Sequence, residues 1–181
     1  HNQLGQYEKA KDFYKKIIEI QPYNADAYFN LGNTFKILRQ PQEAISFYER
    51  AIKIKPNYVD AHYNLGNTLR EIGKYQQSIS SYEKVIKINS THIESYNNLG
   101  ILFNELQENQ KAIDCYEKAI QINPNFESAY NNLGNIFKDL GKFKKSIKYY
   151  EKAIQINPDN IDAHNNLGNI LKELGEHQKA M

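Results

Sequence analysis

The sequence predicts an all-α protein, a solenoid of stacked antiparallel helix pairs, and three observations support this fold class. The chain has 181 residues, 40% of them hydrophobic and 24% charged, so it can bury a core instead of remaining disordered. Its segments repeat with a period of 34 residues. Within each period, apolar residues recur three or four positions apart in two successive stretches, which is the spacing of amphipathic helices.

The 34-residue period is visible in single columns of the sequence. The segment YEKAIQINP begins at Tyr116 and again at Tyr150, and proline recurs at the same spacing except at Ser90. Glycine and tyrosine recur without interruption, in the columns Gly32, Gly66, Gly100, Gly134, Gly168 and Tyr14, Tyr48, Tyr82, Tyr116, Tyr150. A period held over five copies indicates a repeat architecture.

Each period is predicted to contain two helices. The first helix of the first complete period lies within 25–38 and carries the apolar stripe Tyr28, Leu31, Phe35 and Leu38. A breaker follows, as at Gly73 or Gly141. The second helix carries the stripe Ala44, Ile45, Tyr48 and Ile52 and ends before Pro56, because proline disfavours a helical residue before it. Neither helix can bury its apolar face alone, so neighbouring pairs must stack.

These columns resemble the tetratricopeptide repeat (TPR) family. The family has a pattern of eight positions: a large residue, Leu, Gly, an aromatic residue, a small residue, a second aromatic residue, a second small residue and Pro. One repeat shows this pattern at Tyr130, Leu133, Gly134, Phe137, Ser146, Tyr150, Ala153 and Pro158. Gly134 and Ser146 are expected to let the paired helices approach closely. The usual tryptophan is replaced by Tyr28, His62, Tyr96, Tyr130 and His164. The resemblance covers the whole chain and implies a right-handed superhelix whose first helices line a concave groove.

Counting from the family's usual start divides the chain into one array of 34-residue units. Residues 1–24 are a partial repeat, four complete repeats follow at 25–58, 59–92, 93–126 and 127–160, and residues 161–181 open a further repeat that stops inside its second helix. Solenoids need polar caps at both ends, and none is recognisable here. We therefore expect a piece of a longer array, next to which a catalytic domain could lie.

Three polar columns lie on the first helices, opposite the apolar stripe. The first asparagine column is Asn30, Asn64, Asn98, Asn132 and Asn166. The second asparagine column, interrupted by Ile101, is Asn33, Asn67, Asn135 and Asn169, and the basic column, interrupted by Asn104, is Lys36, Arg70, Lys138 and Lys172. Residues three positions apart share a helix face, and the resemblance to the family places that face in the groove.

The asparagine columns predict a peptide-binding ladder. An asparagine amide both donates and accepts hydrogen bonds, so it can pair with a peptide group whatever the sequence. We expect Asn64, Asn98 and Asn132 to make the central contacts, with Arg70 and Lys138 tuning selectivity. The alternative is that these asparagines only bond neighbouring backbone or pack between helices. The run AHNNLGN at 163–169 is similar to the repeats of O-linked N-acetylglucosamine transferases, whose superhelix uses such a ladder.

Three functions therefore stay open. The first is a protein-interaction scaffold that binds an extended or helical peptide in the groove. The second is the substrate-recruiting arm of a larger glycosyltransferase, and the third is a structural component of an assembly, with end-to-end stacking of copies. A clamp for a terminal carboxylate, which chaperone-binding members use, is not expected, because the matching positions carry no base: Phe29, Tyr63, Asn97, Asn131 and Asn165.

Composition excludes several other classes of function. The formal net charge is only +2, so neither nucleic acid nor a membrane surface is an expected partner. A single cysteine cannot form an internal disulfide, and His62 and His164 replace a packing aromatic, so no metal site is expected. No paired carboxylates, phosphate-binding loop or serine–histidine arrangement is present. We expect no enzyme activity in this chain, no cofactor, and a cytoplasmic or nuclear location.

Overall fold

The computed structural model describes the backbone of residues 2–179 and the side chains of residues 5–175. Within that range it contains ten α-helices and no strand, which confirms the all-α prediction. The helices are α1 (Asn2–Ile20), α2 (Ala25–Ile37), α3 (Pro41–Ile54), α4 (Val59–Glu71), α5 (Tyr75–Ile88), α6 (Ile93–Glu105), α7 (Asn109–Ile122), α8 (Glu127–Asp139), α9 (Phe143–Ile156) and α10 (Ile161–Lys179). None of these described helices is long and apolar enough to cross a membrane.

The helix boundaries follow from capping residues and turn conformations. Asn24 and Asn160 each accept a hydrogen bond from the backbone N–H three residues later, at 2.9 Å, which caps α2 and α10. The turns between paired helices each contain one residue in the left-handed region, at Arg39, Gly73, Gln107 and Gly141. Ser90, where the proline column is interrupted, follows Asn89, which ends α5 in an extended conformation and accepts a hydrogen bond from Thr91 N at 3.1 Å.

The partial repeat at the C-terminal end differs from our expectation of a turn and a second helix. Gly175 occupies the same column as Gly141, but α10 continues through it as one helix. In the complete repeats, a tyrosine sixteen positions after the first-helix glycine packs against that glycine. A Cβ atom added to Gly168 would meet no atom of another element within 4 Å, so no ring packs against it in this way. Among the described residues no second helix packs back on α10, which continues through Gly175 to Lys179.

The chain divides into two compact units, one extending to Ser95 and the other beginning at Tyr96. In unit 1, α2 packs against α1 and α3, and α4 packs against α3 and α5. Its core contains Leu31, Phe35, Ala44, Ile45, Tyr48, Leu65 and Leu69. In unit 2, α8 packs against α7 and α9, and α10 packs against α9 and α8, with Tyr150, Ala153, Ala163 and Ile170 in the core.

The paired helices approach most closely where glycine meets tyrosine. A Cβ atom added to Gly134 would lie 2.4 Å from Cε1 of Tyr150, and one added to Gly32 would lie 2.7 Å from Cε1 of Tyr48. Next to this contact, Ser146 Oγ donates a hydrogen bond of 2.7 Å to the carbonyl oxygen of Gly134. The expected role of these small residues is therefore confirmed. They leave room for a tyrosine ring that is completely buried.

Candidate functional site

The two asparagine columns are joined by hydrogen bonds between successive repeats. In unit 1, Asn33 Oδ1 accepts two hydrogen bonds, one from Tyr48 Oη at 2.8 Å and one from Asn64 Nδ2 at 2.9 Å. Tyr48 lies on α3 and Asn64 on α4, so one amide oxygen on α2 connects three helices. The tyrosine column thus fills the space beside the glycine with its ring and orients an asparagine amide with its hydroxyl.

Unit 2 contains the same arrangement. Asn135 Oδ1 accepts hydrogen bonds from Tyr150 Oη at 2.7 Å and from Asn166 Nδ2 at 3.1 Å. The tyrosine–asparagine part recurs once more in unit 1, where Tyr82 Oη donates to Asn67 Oδ1 at 2.7 Å. Two independent copies with the same donors and acceptors show that the repeat pattern specifies this network.

Ile101 interrupts the second asparagine column, and the network changes there. Asn132, which has no asparagine at position 101 to bond, donates from Nδ2 to Asn97 Oδ1 at 3.3 Å. Asn97 belongs to the column that lacks the bases of a carboxylate clamp. The structure therefore adds Asn97 to the site, although this residue lies outside the two asparagine columns.

In the Asn33–Asn64 and Asn135–Asn166 pairs, the amide nitrogen of one residue and the amide oxygen of the other are unused. The Nδ2 of Asn33 and the Oδ1 of Asn64 make no hydrogen bond with a residue that the structure describes, and both side chains are half-buried. The same holds for Nδ2 of Asn135 and Oδ1 of Asn166. Because the bonded atoms fix each amide, both of these pairs present an oriented N–H donor beside an oriented carbonyl acceptor, which are the groups that a peptide bond requires.

The column preceding the first asparagine column differs between the units. In unit 1 it holds aromatic residues, and the ring of Phe29 lies 5.0 Å from that of Tyr58, while the ring of Tyr63 lies 5.0 Å from that of His92. In unit 2 it holds Asn97, Asn131 and Asn165. The Oδ1 of Asn131 is buried and has no hydrogen-bond partner among the described residues. An unpaired buried acceptor is unfavourable, so this oxygen would gain from a ligand N–H.

The basic column is partly engaged in ion pairs. Lys36 Nζ lies 3.1 Å from Glu71 Oε1 of the following repeat, and Lys138 Nζ lies 3.9 Å from Oδ1 of the adjacent Asp139. Arg70 is half-buried and Lys172 is exposed. Exposed ion pairs contribute about 0–1 kcal/mol, so a ligand carboxylate could exchange with either acid. Of the other asparagines in the two columns, Asn30 and Asn98 are half-buried and Asn169 is exposed.

Burial shifts the pKa of several side chains in the two units. Burial, followed by the charge of Glu71, raises the pKa of the Tyr48 phenol, and burial raises the pKa of Tyr150 to about 12. Both phenols therefore keep the proton that they donate to asparagine. Burial also lowers the pKa of His62, whose Nε2 donates a hydrogen bond of 2.9 Å to the carbonyl oxygen of Pro56. Among the side chains of residues 5–175, no group of three His, Cys, Asp or Glu could hold a metal ion.

The sequence patterns of repeat families match most of the chain. The pattern described as TPR repeat matches residues 1–36, 102–141 and 134–175. The pattern described as tetratricopeptide repeat matches residues 25–58 and 59–92. No curated protein is significantly similar in sequence.

Several solved structures resemble this one. A crystal structure of MamA is 28% identical, with a TM-score of 0.82, and the match covers 87% of this chain and 92% of that one. MamA 41-end from Desulfovibrio magneticus RS-1 is 20% identical, with a TM-score of 0.79 over 87% and 89% of the two chains. YrrB, described as a TPR protein with an unusual peptide-binding site, is 22% identical, with a TM-score of 0.78 over 91% and 84%. The two less identical structures show likeness of fold alone.

Proposed function

The chain belongs to the tetratricopeptide repeat family, and from this premise we propose that it is a protein-interaction module that holds an extended segment of another protein by its main chain. The observation that carries the proposal is the pair of unused amide groups, Asn33 Nδ2 with Asn64 Oδ1 in unit 1 and Asn135 Nδ2 with Asn166 Oδ1 in unit 2. Each unit thus offers its own main-chain contact on the side formed by the first helices.

The spacing of helices within a unit suits an extended ligand. Packed helices lie about 8–10 Å apart, and an extended chain advances about 3.3 Å per residue. One asparagine pair would therefore meet about every third peptide group. The oriented amides lose little side-chain freedom on binding, because the tyrosine hydroxyl and the neighbouring asparagine already hold them.

Selectivity would come from the residues around the asparagines. In unit 1 the adjacent aromatic residues Phe29 and Tyr63 favour an apolar ligand side chain, whereas in unit 2 the adjacent Asn97, Asn131 and Asn165 favour a polar one. The half-buried Arg70 and Lys138 favour an acidic residue in the ligand. The proposed ligand therefore differs in character between the two units.

The test removes the outward donor without breaking the interior network. In Asn33→Asp with Asn135→Asp, a carboxylate oxygen still accepts from tyrosine and asparagine, but an oxygen replaces the Nδ2 donor. Binding would be measured by fluorescence anisotropy, with peptides selected on the native chain from a displayed library of random fifteen-residue sequences. We expect affinity at least about tenfold weaker, because an oxygen would then face a peptide carbonyl without a hydrogen bond.

A matched double variant controls for the added charge. Asn57→Asp with Asn125→Asp places one exposed carboxylate in a turn of each unit, and affinity within about twofold of the native chain is expected. Equal losses in both double variants would show that charge alone weakens binding and would overturn the proposal. Failure of the library to yield any peptide, or binding that survives Asn33→Asp with Asn135→Asp, would also overturn it.

A further inference from the structure

Unit 1 contains an apolar groove on the side formed by the second helices, away from the asparagine network. The groove lies between α3 and α5, with α4 beneath, and has a volume of about 360 Å³. Its walls include Ile52, His62, Leu65 and Ser81, and Lys53 and Lys84 stand at its rim. His62 and Leu65 are each only 8% exposed, so the groove reaches the edge of the core.

The groove lies beside a small residue in a column that is aromatic in other repeats. The column that contains Ser81 holds an aromatic residue in two of the complete repeats, Phe47 and Tyr149. Phe47 stacks on Phe35, with ring centroids 5.1 Å apart and planes inclined by 5°. Tyr149 stacks on Phe137, with 5.3 Å between centroids and planes inclined by 1°. Ser81 is too small to make this contact.

The rim of the groove is positively charged. Lys53 and Lys84 line it together with a single acid, Glu49. Neither lysine makes an ion pair with a residue that the structure describes, so two ammonium groups and one carboxylate leave the rim with a net positive charge. Burial, with a smaller contribution from the charge of Lys84, lowers the pKa of His62, which also lines the groove. The rim is therefore complementary to a carboxylate.

We propose that this groove, the Ser81 groove, binds one aromatic side chain, Phe or Tyr, that lies beside an acidic residue on another protein. The aromatic ring would lie beside Ser81, against Ile52 and Leu65, which line the groove. The neighbouring carboxylate would pair with Lys53 or Lys84. The groove is at the small end of the range for ligand sites, about 300–1,000 Å³, which suits a single side chain. This contact goes beyond the main-chain contact proposed for the first helices.

The first experiment uses two short peptides as probes. Acetyl-Glu-Phe-Glu-amide and acetyl-Glu-Ala-Glu-amide would be titrated into the full 181-residue chain, with the methyl resonances of Ile52 and Leu65 observed by NMR. We expect saturable shifts of these methyl groups with the phenylalanine peptide and at least about tenfold weaker binding of the alanine peptide, because most of the buried apolar area belongs to the ring. Absence of shifts at Ile52 and Leu65 would overturn the proposal.

Variants of the chain separate the ring from the carboxylate. Ser81→Phe restores the aromatic residue of the column and should abolish the shifts by filling the groove. Lys84→Glu should weaken binding of the phenylalanine peptide about threefold or more, and less at high salt. Lys152→Glu is the matched control, because Lys152 has the corresponding position on α9, where Tyr149 occupies the column. Equal effects of the two lysine variants would contradict a charged rim.

Three further results address the folding of Ser81→Phe, self-association of the chain and independence from the asparagine network. If circular dichroism shows that Ser81→Phe is unfolded, the comparison of Lys84→Glu with Lys152→Glu decides alone. If Ser81→Phe instead lowers the mass of the concentrated chain in sedimentation, the groove receives a second copy, and the proposal of a separate partner is wrong. Asn33→Asp with Asn135→Asp should leave binding of the phenylalanine peptide unchanged. The two proposals can therefore fail independently.

Discussion

At the scale of single residues, the tyrosine column has two simultaneous roles. The ring of Tyr150 is fully buried against Gly134, and its hydroxyl donates to Asn135. The sequence predicted the first role from the spacing of glycine and tyrosine. It did not predict the second role, because a column of asparagines is compatible with either ligand binding or internal bonding. In the structure, the Asn135 amide combines an Oδ1 atom that is bonded within the protein with an Nδ2 atom that is unused.

The glycine–tyrosine contact gives a residue-scale prediction. Gly134→Ala would place a Cβ 2.4 Å from Cε1 of Tyr150, whose ring cannot move away because it is fully buried. We expect the free energy of unfolding, measured with urea, to fall by about 1–3 kcal/mol.

Gly168 provides the control for this prediction. It is the corresponding glycine of α10, and a Cβ there would meet no atom of another element within 4 Å. Gly168→Ala should therefore leave stability unchanged or raise it by up to about 1 kcal/mol, since alanine favours a helix more than glycine does. A similar loss in both variants would mean that the tyrosine ring is not the cause.

At the scale of the helix pair, one column of left-handed residues marks the turn after the first helix. This column holds Arg39, Gly73, Gln107 and Gly141, all with φ between 58° and 76°. Gly175 continues the column, but lies inside α10. The same residue type thus takes two conformations, depending on whether a second helix can pack back on the first. Such a choice depends on tertiary contacts, so the local sequence alone could not predict it.

One substitution at two positions tests this dependence. Gly141→Gln puts a side chain at φ 68°, a conformation that Gln107 shows to be accessible, and should lower the free energy of unfolding by about 1 kcal/mol. Gly175→Gln, within a helix, should raise helical content and stability by up to about 1 kcal/mol. Both would be measured by circular dichroism during urea unfolding. If Gly175→Gln lowered the free energy of unfolding as much as Gly141→Gln does, the result would indicate a turn at both positions.

At the scale of the whole molecule, the repeat made most of the fold predictable. Glycine, tyrosine and proline columns specified two helices per period and the residues of the core, such as Leu31 and Tyr48. The site was less predictable. That Asn132 bonds Asn97, for example, depends on the absence of an asparagine at Ile101 together with the approach of two helices from different repeats. Likewise, the Ser81 groove is formed by residues of three helices, α3, α4 and α5, so its lining depends on tertiary packing.

The buried tyrosines also determine how the whole molecule responds to alkali. Burial raises the pKa of Tyr150 to about 12, with a smaller contribution in the same direction from Asp139, whereas an unfolded tyrosine titrates near about 10. Between these values the unfolded chain loses the phenol proton and the folded chain keeps it. The contribution of Tyr150 to stability is therefore constant below about pH 10 and falls as the pH rises towards about 12. Tyr48, whose pKa is raised by burial as well, acts in the same direction.

Urea unfolding at pH values from about 8 to about 12, followed by helical circular dichroism and by phenolate absorbance, measures this response. Tyr150→Phe should lower stability by about 1 kcal/mol at neutral pH, because Asn135 Oδ1 loses one of its two donors. The free energy of unfolding of this variant should also fall less steeply as the pH rises, since one buried phenol no longer titrates. Tyr23→Phe, at a side chain that is 83% exposed, should change neither quantity. If the free energy of unfolding of Tyr150→Phe fell with rising pH as steeply as that of the native chain, groups other than Tyr150 would cause the fall. Ionisation of Tyr150, and with it loss of the hydrogen bond to Asn135, would then not explain the loss of stability in alkali.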